Sequence, residues 1–213
     1  MKTNIDYWQQ LLKKVPAPYK KWFGAEKTFL RKVITKGAKV LDVGCGDGRS
    51  ILDILPLTED VVGVDHDDSA LEHAKQNLSS FPSVQLVKAD ATALPFNNEE
   101  FDYVICMGTF ANFAQGKYKA LAEMKRVLRD DGRIIISVYS ENAFKTRMDV
   151  YKASGVRIEK IEGTTVTFDA SLGDNISEQF SRKQLETIFS RANLKIKRLA
   201  ELDMAYLCEL SKR

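Results

Sequence analysis

The sequence predicts an α/β fold: a seven-stranded, mostly parallel sheet with helices on both faces and an antiparallel last strand. Three observations predict it. An apolar strand at 39–43 runs into a glycine-rich turn, Gly44-Cys45-Gly46-Asp47-Gly48, and then into an apolar helical pattern from Arg49. Near-continuous apolar strands then alternate with helical segments as far as Tyr139, the pattern of a parallel sheet covered on both faces. Two final strand segments, 194–199 and 204–210, are joined by a turn so short that the pair is antiparallel.

Composition sets the limits. A chain of 213 residues suffices for one well-buried domain with some elaboration and is short for two. Hydrophobic residues make up 44%, ordinary for a globular protein and too many for a disordered one. The net charge of +3 gives no argument for a nucleic-acid partner, whose binders concentrate basic charge in a stripe. The three cysteines, Cys45, Cys106 and Cys208, are odd in number and far apart, which predicts buried free thiols in a reducing compartment. The two histidines, His66 and His73, make no zinc-ligand spacing with them, so no metal is expected. The N-terminus lacks the apolar core of a signal peptide, and no apolar run reaches the length of a membrane span. A cytoplasmic protein with no membrane partner is the expectation.

The elements follow in order. Residues 5–14 read as a helix with Ile5, Trp8, Leu11 and Leu12 on one face, broken by Val15-Pro16-Ala17-Pro18. A second helix over 19–34 carries Trp22, Phe23, Phe29, Leu30, Val33 and Ile34. These parts, 1–38, are expected to form a lid or flank on a domain spanning 39–213. Within that domain the strands are 39–43, 60–65, 84–88, 101–107 and 133–139, and the helices 49–55, 69–78 and 117–128. Asp67 or Asp68 is placed to cap the second of these helices. After Tyr139 the alternation stops. A helix over 141–151 and a hairpin turning at Glu162-Gly163 mark an insertion at 141–180. Ser181 caps a last helix over 181–192, before the two final strands.

The glycine turn is a cofactor cradle at the carboxyl end of a parallel sheet. A phosphate-binding loop needs a lysine and then Ser or Thr after longer spacing, and Arg49-Ser50 does not supply it. A dinucleotide loop needs a third glycine where Arg49 stands. Asp42, just before the loop, faces a pyrophosphate unfavourably but suits a cationic ligand. The Asp-x-Gly-x-Gly-x-Gly run from Asp42 to Gly48 resembles the first motif of the class I S-adenosylmethionine-dependent methyltransferases, whose fold is Rossmann-like. The resemblance runs from Lys39 to Tyr139 and extends, more faintly, to the last two strands. It includes Val61-Val62-Gly63-Val64-Asp65, the third-strand stretch from Val87 to Phe96, Phe101-Asp102-Tyr103-Val104-Ile105-Cys106, and the stretch from Glu123 to Ile136.

That resemblance implies S-adenosylmethionine as cofactor and a set of roles. The backbone at Gly44, Cys45 and Gly46 lies against the methionine part, and Asp42 helps to bind its ammonium. Asp65 accepts from both ribose hydroxyls, a diol matching the two oxygens of a carboxylate. His66 packs near the adenine, Asp90 accepts from its amino group and the Ala91 amide donates to a ring nitrogen. Met107 and Gly108 border the sulfonium. Cys45 and Cys106 read as packing residues rather than nucleophiles.

No catalytic base stands out, and in-line methyl transfer needs one only when the acceptor must lose a proton early. The Asn/Asp-Pro-Pro-Tyr/Phe stretch used on exocyclic amino groups is absent; Met107-Gly108-Thr109-Phe110-Ala111-Asn112-Phe113 stands in its place. This is similar to the small-molecule branch of the family. The acceptor pocket is then expected from Tyr7 and Tyr19, Phe110 and Asn112, and Tyr139. Trp22 and Phe23 are read as packing the flank onto the sheet. Arg147, Arg157, Arg182 and Lys183 are candidates for an anionic substrate, against the ordinary expectation of solvated surface charge. Two alternatives stand beside this reading: an RNA or protein methyltransferase, and a non-catalytic cofactor-binding protein.

Overall fold

The computed structural model describes residues 16–113, 116–169 and 176–213. Tyr7 and the helix expected over 5–14 lie outside these residues. Helix α1 (Ala17–Val33) begins after Pro16, with a second proline in its first turn where no intrahelical N–H is needed. It buries Tyr19, Trp22, Glu26, Phe29 and Leu30, one face at helical spacing.

The central sheet then builds in the expected order. Strand β1 (Val40–Val43), helix α2 (Arg49–Ile54), strand β2 (Val61–Asp65), helix α3 (Asp68–Asn77) and strand β3 (Gln85–Lys88) form its first half. Strand β4 (Phe101–Met107), helix α4 (Lys117–Val127) and strand β5 (Leu128–Tyr139) continue it. After the insertion come helix α6 (Arg182–Arg191), strand β9 (Leu194–Glu201) and strand β10 (Ala205–Lys212). The seven strands lie in the order β3-β2-β1-β4-β5-β10-β9. Strands β1 to β5 are parallel, and β10 runs antiparallel to both β5 and β9.

Burial follows position in the sheet. All four residues of β1 are buried, whereas the edge strand β3 has none that is fully buried. A central parallel strand must be apolar on both faces; an edge strand need not be. The reversal of sheet order between β1 and β4 opens a crevice at the carboxyl ends of the strands, and the glycine loop lies there.

The caps hold as read. Asp67 Oδ1 accepts from the amides of Ser69 (2.7 Å) and Ala70 (3.2 Å), starting α3. Ser181 and Gln184 form a reciprocal capping box at α6. One strand is longer than expected: β5 begins at Leu128, which pairs with Phe101 across an irregularity in the ladder. The polar Arg129-Asp130-Asp131-Gly132 run hid this extension, because its exposed residues do not read as strand.

The insertion contains helix α5 (Phe144–Ala153) and a three-stranded sheet of β6 (Ile158–Glu162), β7 (Thr165–Phe168) and β8 (Ile176–Ser177). The hairpin turns where expected, with Gly163 at a φ of 59°. Tyr151, Val166 and Phe168 form a small core of their own beneath it. The short strand β8 carries no periodicity that a sequence could reveal.

Candidate functional site

Two cavities open at the carboxyl ends of the central strands, and the walls of both include Gly44 and Thr109. The first, about 160 Å³, is lined by the loop from Gly44 to Asp47, by Met107, Gly108 and Asn112, and by Tyr19, Trp22, Phe23 and Tyr139. The second, about 320 Å³, is lined by Asp65, His66, Asp90, Ala91 and neighbouring residues. Gly44, Gly46 and Gly108 all have φ between 54° and 86°, a conformation that disfavours side chains. A Cβ on Gly46 or Gly108 would meet nothing within 4 Å, so the space above both is open. At Gly44 the case differs: a Cβ would lie 2.3 Å from Thr109 Cγ2. Thr109 Oγ1 donates to the Gly44 carbonyl at 2.9 Å and sits where the two cavities meet. Gly44→Ala is therefore expected to cost about 1–3 kcal/mol of stability through strain and collision. Denaturant unfolding checks this, and an unchanged midpoint would contradict it.

Asp65 ends β2 with its carboxylate held by two backbone amides. Oδ2 accepts from Gly46 (2.9 Å) in the glycine loop, and Oδ1 from Asp67 (3.0 Å) at the start of α3. One carboxylate thus ties strand, loop and helix together, and each oxygen keeps a lone pair for a ligand. His66 is more than half exposed beside it, with Nδ1 3.7 Å from Asp65 Oδ1. Asp90 is exposed at the far rim. Its Oδ1 accepts from the Thr92 amide at 2.7 Å, and this bond is the main cause of its lowered pKa. It is thus a turn residue and a wall of the second cavity at once.

Asp42 lies below the loop, fully buried, and neither carboxylate oxygen has a hydrogen-bond partner. Burial pushes its pKa up to about 8; nearby Arg49 opposes the shift, while Asp65 and Glu26 add to it. An orphaned carboxyl beneath a cavity fits a ligand that brings its own positive charge. Glu26, fully buried on α1, reaches the same region: its Oε2 is 2.7 Å from Arg49 Nη2. Burial raises its pKa and Arg49 resists. Two buried carboxylates thus lie near one partly exposed guanidinium, that of Arg49, which also lines the first cavity.

The remaining expected residues divide. Cys45, Met107, Gly108, Asn112, Tyr19 and Tyr139 all line the first cavity. Phe110 does not: it is fully buried against Phe113, Phe180 and Phe189, in the core rather than at the cavity wall. Trp22 and Phe23, read as packing residues, also line the first cavity. Trp22 does pack, with Nε1 donating to Ser137 Oγ at 2.7 Å, and the Arg49 guanidinium lies 4.2 Å from the centre of the Phe23 ring. Burial raises the thiol pKa of Cys45 and Cys106 well above the ordinary value, so both are inert packing groups at neutral pH. Burial does the same to the Tyr139 hydroxyl.

Sequence reasoning missed Glu26, Thr109 and the place of Trp22 and Phe23 in the first cavity's wall. A carboxylate at the centre of the apolar face Trp22-Glu26-Phe29 was the available signal for Glu26. Nothing local marked Thr109, whose role depends on Gly44, 65 positions earlier.

Comparison with known proteins agrees with this geometry. Residues 40–132 match the family model described as a methyltransferase domain. Demethylmenaquinone methyltransferase of Staphylococcus aureus is 36% identical over 105 residues. That match covers 48% of this chain and 43% of the relative, so the chain aligns with less than half the length of the curated relatives it matches. The crystal structure of the PH0226 protein from Pyrococcus horikoshii superposes with a TM-score of 0.74 at 24% identity, covering 100% of this chain and 95% of that one. A Burkholderia thailandensis 1,6-didemethyltoxoflavin-N1-methyltransferase, solved with 1,6-didemethyltoxoflavin and S-adenosylhomocysteine, superposes with a TM-score of 0.72 at 17% identity, covering 96% and 82%. Residues 40–132 are therefore similar to the methyltransferase-domain family, within a chain that has the seven-stranded, Rossmann-like fold of methyltransferase structures.

Proposed function

We propose that this chain transfers a methyl group from S-adenosylmethionine to a small-molecule acceptor by direct in-line displacement. One observation carries the reading. The glycine loop of the family segment opens into a cavity whose opposite wall, Tyr19, Trp22, Phe23 and Tyr139, comes from outside that segment. The relatives named for demethylmenaquinone and 1,6-didemethyltoxoflavin support a small-molecule acceptor.

In this reading the second cavity takes the adenosine. Asp65 binds the ribose diol, while Asp90 and the Ala91 amide bind the adenine edge beside His66. The methionine end lies over Gly44, Cys45 and Gly46, with its ammonium answering Asp42. Bound there, S-adenosylmethionine would supply a methyl group already activated on sulfur. The protein's own share is alignment and exclusion of water. Met107 and Gly108 border the reacting end, and the aromatic wall with Asn112 holds the acceptor. Cys45 and Tyr139 stay protonated at neutral pH, so neither acts as nucleophile or base. Helix α1 serves as one wall of the acceptor site on the domain spanning 39–213.

A methyl-transfer screen with radiolabelled S-adenosylmethionine over phenols, carboxylic acids, amines and RNA tests the proposal. Label is expected in a small molecule. Transfer only into RNA or protein, or no transfer at all, would contradict it.

A further inference from the structure

Arg147 is fully buried on α5. Its Nε donates to the Tyr151 hydroxyl (3.3 Å), Nη1 to Gln179 Oε1 (2.9 Å) and Nη2 to the Ser177 carbonyl (3.1 Å). All three acceptors are neutral. Among the described residues no carboxylate makes an ion pair with it, in contrast to Arg49, which is answered by Glu26 and Asp53. An arginine stays charged when buried. Neutral acceptors satisfy its donors but leave a whole positive charge in a low-dielectric setting, which is costly unless an opposite charge arrives.

The place of that charge indicates where the counter-charge comes from. The guanidinium carbon lies 4.4 Å from the centre of the Tyr139 ring. Tyr139 lines the first cavity, and so does Ser177, whose carbonyl holds Nη2. Arg147 is therefore next to two residues of the cavity wall, Tyr139 and Ser177, without lining the cavity itself. On that wall the Tyr139 and Tyr19 hydroxyls lie 3.2 Å apart. Trp22 packs on Tyr139 with ring centres 4.8 Å apart, which extends the wall as an apolar aromatic surface. The rings are tilted to one another, so a planar conjugated ligand meets them face-on or edge-on; phenolic hydroxyls can donate to an oxyanion, and a guanidinium answered only by neutral acceptors and by the faces of Tyr139 and Tyr151 favours a negative charge nearby.

We propose that the acceptor is a planar conjugated acid, a carboxylate, phenolate or enolate, bound as its anion, and that Arg147 is the residue that selects the charge. The proposal rests on the methyltransferase reading above. It makes Arg147 a positioning residue, acting through Tyr139 without touching the ligand. The alternative is a bracket that joins α5 to β8 and the residues after it. A bracket would affect folding but would not distinguish an anion from a neutral molecule of the same shape.

The test uses that distinction. With S-adenosylhomocysteine saturating, benzoate and benzamide are titrated into the full chain. Benzoate is expected to bind about tenfold or more tightly, a preference of the kind electrostatic complementarity supplies. Arg147→Gln should remove the preference and Arg147→Lys should keep much of it, with the affinity for S-adenosylhomocysteine unchanged in both. Equal binding of the two probes by the wild type, including no binding of either, overturns the proposal. So does a preference that survives in Arg147→Gln. Arg49 also lines this cavity, so Arg49→Gln is the control and should keep the preference; if Arg147→Gln fails to fold, equal binding by the wild type, or a preference lost in Arg49→Gln, overturns the proposal. Failure of S-adenosylhomocysteine to bind appears before any probe is added, and it counts against the methyltransferase reading instead.

Discussion

Replacing Asp65 with alanine is expected to weaken S-adenosylmethionine binding by about two orders of magnitude, or ~3 kcal/mol. Two losses combine. The first is the pair of charge-assisted hydrogen bonds assigned to the ribose hydroxyls. The second is internal: the Gly46 and Asp67 amides, now 2.9 and 3.0 Å from the carboxylate, lose their acceptor. The glycine loop then no longer has a fixed position over the cavity. Asp65→Asn keeps the shape and one acceptor oxygen, so its loss should be intermediate. Calorimetric titration of the three proteins checks the order. Unchanged affinity in Asp65→Ala would remove the ribose assignment.

The second large effect belongs to Asp42 and depends on pH. Its pKa is about 8 in the folded protein against an ordinary value of 3.8. Between these values the folded state keeps a proton that the unfolded chain releases. Stability must therefore fall as pH rises from about 4 to about 8, by up to ~1.4 kcal/mol per pH unit from this one group. Asp42→Asn removes that slope. The variant's stability relative to the wild type should rise with pH across the window and level off above it. Urea unfolding at a series of pH values measures the difference, in which other groups largely cancel. Cofactor binding should show the opposite trend. An incoming ammonium favours the ionised carboxylate, so affinity rises with pH up to about 8 and binding releases a proton below it. Asp42→Asn should lose about 10- to 100-fold in affinity together with that pH dependence. A variant that keeps the wild-type pH slope of stability would contradict the assignment of this proton to Asp42.

The two arguments draw on different parts of what the sequence makes legible. The parallel core reads out clearly because central strands are apolar on both faces and β1, β2 and β4 each run up to a glycine or an acid, Gly44, Asp65 and Gly108. The sheet order puts Asp42, Asp65 and Asp90 at or just past the ends of strands that are neighbours in space, in keeping with the roles the family resemblance implied for them. The acceptor side resists the same treatment. Trp22 and Phe23 read as packing because an aromatic stripe on a helix gives the same pattern whether it faces core or cavity. Phe110 shows the converse: one turn past the end of β4, it points into a cluster with Phe180 and Phe189, which only the folded chain brings near. Arg147 could be named as a candidate, but its burial beside Ser177 and Gln179 depends on contacts some 30 positions away.

The most direct test of the central claim is an experimental structure with S-adenosylhomocysteine bound. The account predicts the ribose hydroxyls on the Asp65 carboxylate, the adenine between His66 and Asp90, and the amino-acid end over Gly46 above Asp42. It predicts the sulfur facing the cavity walled by Tyr19, Trp22 and Tyr139. A ligand with its adenine in that aromatic cavity, or with no contact to Asp65, would contradict it.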